Sequence, residues 1–338
     1  MNEVHVRSRL WRNGKLESED FDFERISDHL AQDGCLVWVD ICDPDPDRLN
    51  ALAAELSLDP HAVEDAVASA ERAKATRYAT HTFLTAYAVT AKPRDTAGGP
   101  RSDSESCLSI SRVSAFIFRR GIVTVRLDDR FKIDEVVRRW EENSDFLQYG
   151  SGALVHGLLD VIVDGHFEAV QILDDQIEAL EDQLFDDNAI SKDVQRRTYR
   201  VRKDLVDLRR IVLPMREVVN LVVRHRKDVD APAELNSSFD DLYDHVLRAA
   251  EWTESLRDMV TTVFETNLSL QDGRLNTVMK KLTAWAAIIA VPTAVTGYFG
   301  QNIPYPGFGK SWGFGLSVAI IVTIGFALYV SFRRRDWL

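Results

Sequence analysis

The sequence predicts an α+β/α architecture with an amino-terminal α/β domain, a long helical stalk and two carboxyl-terminal transmembrane helices. Three observations carry this. Strand-length runs rich in β-branched and aromatic residues lie within the first 150 residues, helical periodicity takes over after Gly152, and two long uncharged apolar stretches close the chain.

The averages hide this organisation. The 338 residues carry 41 Lys plus Arg against 53 Asp plus Glu, a net charge of −12, with 45% hydrophobic residues. Such values describe an acidic soluble protein and argue against a nucleic-acid partner or a disordered chain. Charge is unevenly spread, however, being absent from Leu282 to Gly309 and again from Ser311 to Phe332. Cys35, Cys42 and Cys107 form no Cys-x-x-Cys pair and no even set, which speaks against a disulfide scaffold or thiolate zinc site and suits a reducing cytosol.

Residues 1–150 read as a cytosolic α/β domain. The first twenty alternate polar and apolar residues without the apolar core of a secretory signal. Cys35–Ile41, His81–Ala91 and Val113–Leu127 have strand composition, the last broken at Arg119-Arg120-Gly121 as in a hairpin. Pro46–Ser69 and Asp134–Asn143 have helical spacing, and the Gly-, Pro- and Ser-rich Lys92–Ser106 reads as a loop.

Residues 151–281 read as long cytosolic helices and a stalk. Asp164–Asp187 is an acidic amphipathic helix, Asn188 marks a break, and Ser191 is the expected N-cap of a second helix reaching Arg226. After a turn at 231–238, a third helix starts near Phe239 and meets no proline until Pro292. Continued to about Gly300, its roughly 60 residues cover about 90 Å, some three times the hydrocarbon thickness of a membrane, so about two-thirds of it projects into the cytosol.

Residues 282–302 and 312–332 are the expected transmembrane segments, joined by an external loop at 303–311 and followed by a basic tail at 333–338. Membrane helices tolerate Pro292 where neighbours satisfy the freed carbonyl. Lys280, Lys281 and Arg333 to Arg335 flank the spans, while the loop between them holds only Lys310, so both termini are expected in the cytosol of a multi-pass inner-membrane protein. Two helices cannot enclose a water-filled path, so conduction would require several copies of the chain. On the helix that runs into the first span, Asn276, Met279, Thr283, Ala286, Ala290, Thr293 and Gly297 recur at steps of three or four, a face of mostly small or weakly polar residues suited to helix packing.

Enzyme motifs are absent. Phe308-Gly309-Lys310-Ser311 looks like the end of a phosphate-binding loop, but Pro304 stands where a glycine is required. The eight histidines lack metalloprotease spacing, no Gly-x-Ser-x-Gly occurs, and no resident cofactor is expected. His245, beside Asp241 and Asp244, reads as a packed or solvated stalk residue.

The run NTVMKKLTAWAAIIAVPTAVTGYFGQN closely resembles the end of the pore helix in the CorA family of divalent-cation channels, whose hallmark is Tyr-Gly-Met-Asn. The terminal FRRRDWL resembles that family's basic carboxyl terminus, Asp240–Val260 its stalk, and HAVEDAVASAERAKATRY, more faintly, the stretch before its central strands. This chain has Phe299-Gly300-Gln301-Asn302 instead, and its external loop carries Lys310 where typical members place an acid just after the motif.

The resemblance implies a homo-oligomer, pentameric in the family, that admits Mg²⁺, and Co²⁺ or Ni²⁺, down the membrane potential. Crossing 100 mV gives a divalent cation about 4.6 kcal/mol, so no ATP is needed. It makes Gly300, Gln301 and Asn302 the selectivity filter, where neutral amide and carbonyl oxygens can accept hydrogen bonds from a hydrated ion. Gly and Asn also commonly end helices, so a simple helix terminator is the competing reading. The resemblance puts the small-residue face on the pore axis with Leu282 near a hydrophobic constriction. It makes Asp65, with neighbouring Glu64, and Asp241 the carboxylates through which intracellular Mg²⁺ holds the closed state. As ordinary solvated acids they would serve only solubility. A zinc transporter of the same superfamily, with or without proton coupling, and a non-conducting membrane-anchored scaffold are the alternatives.

Overall fold

The computed structural model describes residues 5–68, 71–92, 106–184, 191–228 and 231–338. Two compact units divide at Val263/Phe264. The first begins with β1 (His5–Arg12) and β2 (Lys15–Glu19), an antiparallel pair. Asn13 and Gly14 join them with φ of 50° and 77°. Two positive φ values at the centre of a two-residue hairpin are what Asn-Gly supplies cheaply, so the alternation at the amino terminus is that of a hairpin.

Next come α1 (Ile26–Ala31), β3 (Cys35–Cys42), α2 (Pro46–Glu55), α3 (Pro60–Val67), β4 (Lys74–Arg77), β5 (Thr82–Ala91), β6 (Leu108–Phe118), β7 (Gly121–Arg126) and α4 (Ile133–Glu142). The single helical stretch expected over Pro46–Ser69 is therefore two helices. Ser57 takes φ 51°, and the Asp59 carboxylate caps α3 by accepting the His61 N–H at 2.9 Å, with Pro60 in the first turn. The expected hairpin at Arg119-Arg120 joins β6 to β7. Most of the Lys92–Ser106 loop, and the break at Asn188, lie outside the described residues.

The strands form one sheet in the order β2-β1-β3-β7-β6-β5-β4, antiparallel except for the central β3·β7 pair. Every residue of β3 is buried. Leu36 and Trp38 join the core on one face, and Val37, Val39 and Ile41 join the core on the other, so a strand covered on both sides reads as a continuous apolar run. Inside it, fully buried Asp40 pairs with Arg126 at 2.6 Å and accepts the Thr124 hydroxyl at 2.7 Å. Each group satisfies the other, as buried charges require.

Four long helices follow: α5 (Ser151–Leu184), α6 (Ser191–Asp228), α7 (Asn236–Phe299) and α8 (Ser311–Arg334). Helix α5 starts well before the expected Asp164. Its first turns bury Leu154, Val155, Leu158, Leu159, Ile162 and Val163, and a helix apolar nearly all round has no stripe to announce it. Trp38 and Leu84 of the sheet, Trp140 of α4, Leu154 and Leu158 of α5, Met215 of α6 and Phe239 of α7 share one core. Long helices and sheet are thus packed together across residue 150.

Candidate functional site

The apolar helices of the carboxyl-terminal unit come first. Helix α8 has 24 residues, about 36 Å at 1.5 Å each, against a hydrocarbon core of about 30 Å. Only 6% of the most apolar window of α8, and of the helix ending at Phe299, is buried within the chain. These are not core helices of a soluble fold, because Leu282, Trp285, Ile289, Phe314, Val322 and Phe326 all stand exposed. The continuous helix keeps Asn276, Met279, Thr283, Ala286, Ala290, Thr293 and Gly297 on one face, all exposed on the single chain, as is Leu282. Hydroxyls on this helix bond to its own backbone: Thr293 donates to the Ile289 carbonyl at 3.3 Å and Thr296 to that of Pro292 at 2.8 Å. Their polar atoms are satisfied without water.

Helix α7 ends at Phe299, and Gly300, Gln301 and Asn302 follow it, exposed. The Gly300 N–H still bonds to the Thr296 carbonyl at 2.8 Å. Gly300 is not among the positive-φ residues, so it does not serve as a left-handed helix cap. A Cβ there would lie 2.9 Å from the Thr296 oxygen, and glycine is kept by close approach instead. The loop beyond is braced by rings the sequence did not single out together: Tyr305 meets Phe299 at 5.0 Å and Phe308 at 5.3 Å. Lys310 precedes the first turn of α8. At the far end of α8, Trp337 stacks on Phe332 at 5.5 Å.

The carboxylates belong to the amino-terminal unit. Asp65 lies on α3 and holds Lys74 of β4 at 2.8 Å, with Glu71 on the same ammonium at 3.0 Å. Burial works against the charge of Lys74, but hydrogen bonds to both acids and their charges outweigh it and raise its pKa. Lys74 carries no sequence signal for this role, because the pairing depends on how α3 sits against β4. Glu64 is exposed beside it. Asp241 is on α7, exposed, with His245 Nε2 at 3.7 Å one turn on. It lines a cavity of about 350 Å³ with Arg139, Asp160 and Asp164, of which Arg139 binds both aspartates, Asp164 at 2.7 Å. Among the described residues no group of three or more His, Cys, Asp or Glu is arranged to hold a metal ion. One chain does not by itself assemble a cation site from Glu64, Asp65 and Asp241.

Comparison with known proteins supplies the family. The profile of the family described as CorA-like Mg²⁺ transporter protein matches residues 33–334. The cobalt/magnesium transport protein CorA of Thermotoga maritima is 31% identical over 190 residues, 55% of this chain and 52% of that protein, so the match spans about half its length. The putative metal ion transporter YfjQ of Bacillus subtilis is 24% identical over 89% of each chain. The solved CorA magnesium transporter of Methanocaldococcus jannaschii superposes with a TM-score of 0.75 over 100% of both chains at 22% identity, which establishes the common fold. With two exposed apolar helices, a long helix rising from an α/β unit and a profile match covering most of its length, this chain belongs to the CorA-like Mg²⁺ transporter protein family.

Proposed function

We propose that several copies of this chain, five by the family resemblance, surround an axis in the membrane and conduct divalent cations inward. Mg²⁺ is the principal ion, with Co²⁺ or Ni²⁺ as further cargo, and the membrane potential drives the flux. The observation that carries this reading is the exposed, uncharged helix ending directly in Gly300-Gln301-Asn302. Most of its residues are left uncovered by the rest of the chain, and a ring of Asn302 and Gln301 amides would offer neutral oxygens to a hydrated ion without stripping its water. Leu282 and the face from Asn276 to Gly297 would line the path, with residues 282–302 as the pore helix and 312–332 as the second span.

Control by intracellular divalent cation would act through Asp241 and the Glu64–Asp65 region. Exposed Asp241 is free to take a cation, whereas Asp65 already holds Lys74, so an ion arriving there competes with an ammonium. Because no three-ligand group exists within the described residues, the bridging ligands would come from different copies.

Reconstituted liposomes test both parts. Mg²⁺ uptake driven by an inside-negative potential is expected, with at least a tenfold loss in Asn302→Ala. Uptake of zinc that follows a pH gradient in place of Mg²⁺ would make this a zinc transporter, and absence of flux for any divalent ion would leave a membrane scaffold. Asp241→Asn is expected to weaken inhibition by internal Mg²⁺ while leaving uptake at low Mg²⁺ intact; unchanged inhibition puts the sensor elsewhere.

A further inference from the structure

The basic residues that fence the two apolar spans fall at one depth. From Lys281 to Phe299 helix α7 rises about 27 Å, and from Ser311 to Arg333 helix α8 returns about 33 Å, against a hydrocarbon core of about 30 Å. When both helices cross a membrane, Lys280 and Lys281 of α7 and Arg333, Arg334 and Arg335 at the end of α8 meet the same headgroup layer. All five are exposed, and their side chains make no hydrogen bond or ion pair with the described residues. Between Lys280 and Leu338 the sequence holds a single acid, Asp336.

The chain does not trail away after α8. The Trp337 N–H bonds to the Phe332 carbonyl at 3.0 Å and the Asp336 N–H to that of Arg333 at 3.4 Å, while Asp336 takes a φ of 56°. This pair of bonds with a left-handed residue makes the tight closing turn in which an apolar side chain beyond a helix folds back onto its last turn. Trp337 does so, its ring stacked on Phe332 at 5.5 Å with 14° between the planes. The ring pair is half-buried, and the three arginines stand exposed on the turn that it fixes. An indole beside cations at the end of an apolar helix is the arrangement of a membrane–water interface. Attraction to the negative end of a helix accounts for cations in the last turn of α8. It does not account for Lys280 and Lys281, which lie in the interior of α7.

We propose that this basic layer binds anionic phospholipid, with headgroup phosphates seated on Arg333, Arg334 and Arg335 and with Lys280 and Lys281 adding charge at the same depth. A guanidinium fork meets a phosphate through two parallel hydrogen bonds, and a lysine supplies a point charge. Four to eight such cations immediately beyond a spanning helix are the pattern that draws acidic lipids. The proposal rests on the membrane placement of residues 282–302 and 312–332 and requires nothing of conduction.

The full-length protein in phosphatidylcholine vesicles, with a trace of spin-labelled lipid, tests this. Spin-labelled phosphatidylglycerol is expected to associate with the wild type at least fivefold more strongly than spin-labelled phosphatidylcholine. The combined variant Arg333→Gln, Arg334→Gln, Arg335→Gln should bring that ratio below two, and the matching lysine variant, which keeps the charges, should retain most of it. Selection by the wild type should also fall at least twofold between 50 mM and 1 M salt, a measurement that does not depend on how a variant inserts. Equal association of the two lipids with the wild type, or selection unchanged in the glutamine variant, overturns the proposal and sets these arginines against acids of the protein instead. Failure to insert into vesicles at all would overturn the membrane placement with it. Lipid selection without any Mg²⁺ uptake would leave this proposal standing and remove only the channel.

Discussion

His166 is fully enclosed between α5 and β5, and its Nε2 meets the Tyr87 carbonyl at 2.7 Å. Burial outweighs that hydrogen bond and pushes its pKa down from the ordinary 6.5 to about 4. Between those values the unfolded chain takes up a proton that the folded chain refuses. The stability due to the neutral ring is therefore complete above pH 6.5 and drains away as pH falls toward 4, by roughly 3 kcal/mol once below it. Thermal midpoints from pH 7 to 4 should fall more steeply for the wild type than for His166→Gln, which retains a donor but cannot titrate; parallel curves would remove His166 from the acid response. None of this was legible in the sequence. His166 stands in a run of acidic and apolar residues like any amphipathic-helix histidine, and only the depth of the α5·β5 contact makes it a neutral, buried group. Asp65 teaches the same lesson: the sequence offers an acid, and the fold adds Lys74 at 2.8 Å.

Among the elements, two helical glycines illustrate how tertiary contact overrides local preference. At Gly165 on α5 a Cβ would lie 2.6 Å from the Val89 carbonyl oxygen, a backbone atom of β5 that cannot swing aside. Alanine gains about 1 kcal/mol of helix propensity there, but crowding a packed interface costs about 1–3 kcal/mol. Gly165→Ala is therefore expected to destabilise. Gly273 on α7 has nothing within 4 Å of an added Cβ, so Gly273→Ala should stabilise by about 1 kcal/mol. Chemical denaturation of the two variants, compared with the wild type, reads the opposite signs. Strands β3, β5, β6 and β7 were legible because burial on one or both faces demands β-branched and aromatic residues. The α2/α3 break needed the φ of Ser57 and the cap at Asp59, and the first half of α5 was hidden because burial all round erases helical periodicity.

At the scale of the molecule, the acidic charge and the membrane segments separate cleanly. Between Leu282 and Phe332 the single charge is Lys310, beside the loop that follows Asn302. In the proposed assembly of several copies these lysines would form a positive ring at the proposed cation entrance, and such a ring would lower the local cation concentration. Lys310→Glu should raise Mg²⁺ uptake severalfold at low external Mg²⁺ and low ionic strength, and the gain should shrink as salt screens it. An unchanged rate would mean that the ammonium groups do not face the path.

The order of parts is written in the linear chain: an α/β beginning, long helices, two apolar spans fenced by basic residues, and the motif at the end of the first span. These are one-dimensional properties, set by periodicity, run length and charge, and they survive without knowledge of neighbours. Tertiary structure alone decided which groups stand paired and which are left open. Asp65 is paired with Lys74 within the chain, Asp241 is exposed, and Arg226 is buried against the first turn of α5. Such facts depend on distances between residues far apart in sequence, and on desolvation, which only packing can impose.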